Sequence, residues 1–111
     1  MVQSKNELIS KILNPAEMIE YQADAIVSKT LVNKKTGTVT LFAFDKEQSL
    51  SEHTAAYDAI VYVLDGEAEI TISGNPYKLT NGEMIIIPAN HPHSLRALTP
   101  FKMMLVMIKS Q

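Results

Sequence analysis

A chain of 111 residues with 46% hydrophobic and 20% charged content and a formal net charge of -2 is a single-domain globule, able to bury about two thirds of its unfolded surface. It has no long basic or acidic block, which argues against nucleic acid and anionic membrane as partners, and no cysteine, which excludes disulfides, thiolate metal sites and thiol catalysis. Any metal would depend on imidazole and carboxylate ligands.

The N-terminal stretch from Met1 to Glu7 carries no apolar run of the signal-peptide kind, and the longest apolar runs elsewhere are about six residues, too short for a membrane span. The expected address is the cytoplasm. Ser4 and Glu7 can cap a first turn, with Leu8, Ile9, Ile12 and Leu13 as a small amphipathic patch. Asn14-Pro15-Ala16-Glu17 then combines a capping residue, a first-turn proline and an acid at the third position, which predicts a brief helix ending near Tyr21.

From Ala25 the pattern is that of strands. Ile26 to Val32 is β-branched, Asn33 to Gly37 is a turn, and Thr38 to Phe44 is a second strand. Ile60 to Leu64 is apolar on both faces. Asp65-Gly66 is a favoured two-residue turn, and Glu67 to Ser73 alternates with Ala68, Ile70 and Ile72 on one side, so this region predicts a hairpin. Gly74-Asn75-Pro76 and Asn81-Gly82 punctuate a short strand from Tyr77 to Leu79, followed by strands at Met84 to Ile87, His93 to Ala97 and Phe101 to Ile108. Short strands at such intervals mean a sandwich or barrel. Two of them are apolar on both faces with too little helix to cover a sheet, which predicts a homodimer.

His53, His91 and His93 are the three histidines, each at the start of an apolar strand or in a proline-bounded bend. The bend itself predicts a positive φ at Asn90. If the strand through His53 is regular, Ala55, Tyr57, Ala59 and Val61 share its face, and Tyr57 is a candidate cavity residue.

The stretch from His53 to Ala97 resembles a small single-domain cupin. Gly82, Pro88, Asn90 in place of glycine, and His93 keep the spacing of the second cupin motif, with Ala97 where its final asparagine belongs. In the first motif His53 and Gly66 match, while Ala55 stands for the second histidine and Ala59 for the glutamate. The phrase from His53 to Ala59 also resembles a subgroup of small bacterial cupins of unassigned function. The resemblance implies an all-β double-stranded β-helix, or jelly-roll barrel, often dimeric, with a site at its mouth; with the brief helix read above, the chain divides into an N-terminal segment in 1–24 and the barrel in 25–111.

Two of the four usual metal ligands are thus replaced by alanine. His53 and His93 remain, His91 is the third candidate, and Fe, Mn, Zn or Ni are the divalent metals such a set would take. The first reading is a binding protein that holds a small molecule through His53, His93, His91 and Tyr57, with metal weak or absent. The alternative is a metal-dependent enzyme, a dioxygenase or a sugar or carbonyl isomerase, using a three-histidine site. A third is metal-free acid–base chemistry at His91 or His93.

Overall fold

The computed structural model describes residues 7–109. Nine strands over that range are β1 (Ile26–Lys34), β2 (Gly37–Phe44), β3 (Ser49–His53), β4 (Tyr57–Asp65), β5 (Glu67–Ile72), β6 (Asn75–Thr80), β7 (Met84–Ile87), β8 (His93–Ala97) and β9 (Phe101–Lys109). They form two antiparallel sheets, of order β1-β2-β9-β4-β7 and β3-β8-β5-β6. The sheets face each other as a jelly roll.

Alternation of side chains sends one face of each strand inward. In β4 the inward set is Ala59, Val61 and Val63, all buried, whereas Ile60, Tyr62 and Leu64 between them are half-buried on the other face. The opposite sheet contributes Ala68, Ile70, Leu79, Leu95 and Ala97 to the same core. Phe44 and Phe101 pack there with ring centroids 5.3 Å apart and a 43° tilt, a geometry aromatic quadrupoles favour. Burial of each such side chain stabilises the fold by roughly 1.5–3 kcal/mol.

The outer face of the five-stranded sheet is covered in part by the chain's own N-terminal segment. Ile19 is buried against Leu41 and Ala43, with Met18, Tyr21, Leu64 and Met104 around them. A polar latch holds this strap down: the Tyr21 hydroxyl donates to Asp65, and Lys102 Nζ lies 5.0 Å over the Tyr21 ring while donating to the Ala16 carbonyl at 2.7 Å. Burial, followed by the Asp65 hydrogen bond and charge, pushes the Tyr21 phenol well above its usual range.

Several expectations need correction. Asp65-Gly66 is not a hairpin turn, because β4 and β5 lie in different sheets. At Gly66 (φ +83°) the chain crosses between them, packed so closely that a Cβ there would lie 2.0 Å from the Pro100 carbonyl oxygen. The actual hairpin follows β5: Ile72 pairs with Asn75, and Ser73 and Gly74, both at positive φ, make a primed two-residue turn. The helix foreseen from Pro15 to Tyr21 is a single 3-10 turn, Pro15–Glu17, and Asn14 makes no side-chain cap bond. The Ser4 part of the earlier turn lies outside the described residues. The strand through His53 is not continuous either; β3 ends at His53, and β4 resumes at Tyr57 in the other sheet.

Candidate functional site

Between the sheets, at the end where β3 and β8 meet the β7–β8 bend, lies a cavity of about 70 Å³. Val61, Ile70, Ile87 and Met103 are among its apolar walls, and His53, Ala55 and His93 also line it. A larger hollow of about 330 Å³ lies beside the N-terminal segment, walled mostly by apolar residues such as Leu8, Leu13, Leu31 and Val39, with Asn33 and Lys34 at its side.

His53 reaches the cavity because of an irregularity. Leu50 pairs with Leu95 and His53 with His93, so three steps on β3 match two on β8, the signature of a β-bulge. Leu50 and His53 have opposite parity in a regular strand; the extra residue puts both on the cavity wall. The two imidazoles then face each other edge to plane, with ring centroids 4.4 Å apart and planes at 60°.

Each ring is oriented by the same local device. His53 Nδ1 lies 2.9 Å from the Ser51 carbonyl oxygen, and His93 Nδ1 lies 3.0 Å from that of His91. A carbonyl only accepts, so both Nδ1 atoms donate and each neutral ring keeps a lone pair at Nε2. The β7–β8 bend is tied to the β3–β4 loop and to the start of β4: Asn90 N donates to the Ala55 carbonyl at 2.8 Å, and Ala89 N to Asp58 Oδ1 at 2.9 Å. Asn90 adopts φ +67°, as the bend required.

The structure therefore brings together His53 and His93 and leaves two other candidates aside. The His91 ring pairs through Nδ1 with Ser73 Oγ at 3.1 Å on the β5–β6 turn, and His91 does not line the cavity. That contact is explained by Pro92, whose carbonyl accepts from Ser73 N at 2.8 Å and docks the whole bend on the turn. Tyr57, half-buried at the start of β4, is likewise not among the cavity residues. Asp58, Ser51 and the bulge were not found from sequence. Only a pairing partner reveals a bulge, and the Asp58 contact spans 31 residues.

A family model described as Cupin domain matches residues 40–109. The chain belongs to the cupin family. A conserved protein of unknown function from Streptococcus pyogenes is 36% identical, with 92% of this cupin and 90% of that chain covered and a TM-score of 0.87. A cupin superfamily protein from Desulfitobacterium hafniense is 26% identical, covering 91% and 93%, with a TM-score of 0.86. A cupin 2 conserved barrel domain protein from Leptotrichia buccalis is 45% identical over 85% of this cupin but only 46% of its own chain, with a TM-score of 0.82. A search of curated proteins found no match.

Cupins often bind metals, and holding one tightly here would take a third donor beside His53 and His93. Among the described residues no group of three or more His, Asp or Glu gathers in a ligating arrangement. Ala55 and Ala59 line the cavity where further donors would stand, and His91 is engaged with Ser73. Two imidazoles do not make the three-ligand set that holds a divalent first-row metal tightly. Among the described residues no helix is long and apolar enough to cross a membrane.

Proposed function

We propose that this cupin binds a small molecule in the barrel mouth, with His53 and His93 as its polar contacts. The observation that carries this reading is the facing pair of imidazoles on the wall of an apolar cavity, each ring held at Nδ1, with no hydrogen bond to either Nε2 among the described residues. A few convergent polar groups on an apolar hollow are the usual make-up of a ligand site. The three-histidine enzyme would need His91 in the cavity, and its ring is committed to Ser73 instead.

The test uses three-carbon probes, propanol, propionamide, propionate and propylammonium, observed on the methyl resonances of Val61, Ile70 and Ile87. At least one probe is expected to shift them saturably in the wild type, and His53→Ala and His93→Ala are each expected to weaken that response tenfold or more with folding intact. No response to any probe would end the reading. Elemental analysis of protein purified without added metal is expected to find well under one equivalent of Fe, Mn, Zn or Ni; a stoichiometric metal lost in His53→Ala would return the site to metal chemistry.

Two copies of the chain are also proposed to pair through the outer face of the five-stranded sheet. Ile86, Ile60, Val106, Val39 and Val32 stand in one cross-strand row there, with Ile86 58% and Val32 40% exposed. An uncharged row of this kind is complementary to itself, which a two-fold interface demands.

A further inference from the structure

We infer that the site selects neutral hydroxyl compounds, short alcohols or vicinal diols, and rejects carboxylates and phosphates. This deepens the binding reading above and rests on it. The argument starts from proton placement. Because Ser51 and His91 offer carbonyl oxygens to the two Nδ1 atoms, the Nδ1 protons are spoken for, and both neutral rings present acceptors at Nε2. Among the described residues no hydrogen bond reaches either Nε2.

The rest of the wall sharpens the choice. Among the described residues no lysine or arginine lines the cavity, and Ser94, the one hydroxyl residue among those lining it, alternates with the inward His93 and Leu95 on β8, so an anion entering would lose water and meet two lone pairs in return. An ammonium would find two acceptors but, among the described residues, no carboxylate on the wall, and a lone cation in an apolar hollow is costly to desolvate. A ketone or ester carries only acceptors and gains no bond from neutral rings. A hydroxyl donates to Nε2 and keeps its oxygen lone pairs for water at the mouth. Two acceptors on rings with centroids 4.4 Å apart suit two hydroxyls on neighbouring carbons, one for each ring. A cavity of about 70 Å³ limits the inserted apolar body to a few carbons.

The experiment uses wild-type, chelator-treated protein, at a pH where the imidazole 15N shifts themselves show both rings neutral. Imidazole 15N spectra report the tautomers, and 1-propanol, 1,2-propanediol and propionate are titrated in turn. Both rings are expected in the Nδ1–H form, with the alcohol and the diol shifting both Nε2 resonances and the Val61, Ile70 and Ile87 methyls, and propionate at least tenfold weaker. Propionate binding as tightly as 1-propanol, or either ring in the Nε2–H form, would overturn the selectivity while leaving a binding site in place. Silence from all three probes, and from propionamide and propylammonium, would overturn both.

Discussion

Asn90 holds the bend in place with a backbone conformation few side chains accept. At φ +67° its amide still reaches the Ala55 carbonyl, so the residue both turns the chain and stitches the mouth. Asn90→Gly should leave stability nearly unchanged, while Asn90→Val should cost about 1–2 kcal/mol, read from urea unfolding midpoints. Equal midpoints for the two variants would show that the bend tolerates any backbone. Gly66 is the stricter case, since both its φ of +83° and the Pro100 carbonyl beside it oppose a side chain. Gly66→Ala should therefore cost about 3 kcal/mol, and a loss below about 1 kcal/mol would mean the crossover can move. Asn90 was legible because proline bends restrict a short stretch. The role of Gly66 was not, because an Asp-Gly pair reports that the chain turns and not into which sheet.

The elements show the same division between local and distant information. Met84–Ile87 and His93–Ala97 have the limits their composition implied, since β-branched and apolar runs between turn residues are local signals. β3 went unread as a separate strand because Ser49-Leu50-Ser51-Glu52-His53 has neither strict alternation nor strong β-branching, and its partner β8 lies some forty residues on. The N-terminal strap was expected to be helical; its hold instead comes from Ile19 in the outer core and Tyr21 on Asp65. Because the fold raises the Tyr21 phenol, its protonated form is the one favoured on folding. That contribution is present in full below the ordinary tyrosine value of 10.0 and fades as pH rises past it. Tyr21→Phe should lower stability by about 1 kcal/mol at neutral pH, and its midpoint should converge on that of the wild type between about pH 9 and about pH 11. A constant gap across that range would assign the loss to packing alone.

At the scale of the molecule, one sheet face closes the core and the other is only partly roofed. The strap covers the Leu41 and Ala43 side, while Met84, Ile86 and Ile108 remain between 50% and 58% exposed. The two-sided apolar character of β4 and β9 was legible, but that the segment around Ile19 and Tyr21 would cover part of it was not, because its docking depends on Leu41, Asp65 and Lys102, far along the chain. Pairing of two copies on the open row predicts a sedimentation mass near twice that of the 12.3 kDa chain at micromolar concentration. Ile86→Lys together with Val106→Lys should give a folded monomer; a wild-type monomer would mean the row stays in water.

The bulge in β3 sets what kind of chemistry the hollow can host. β3 is bonded to β8 alone, at the border of its sheet, so nothing on its far side restrains its register. Smoothing the kink without shortening the chain turns the Glu52 carboxylate inward opposite His93 and His53 out to water, exchanging a neutral pair of bases for an acid beside a base. Deleting Glu52 achieves the opposite, a straight ribbon with its imidazole still facing inward. One step of register at this border therefore separates a receptacle walled by two imidazoles from one that sets a carboxylate beside an imidazole.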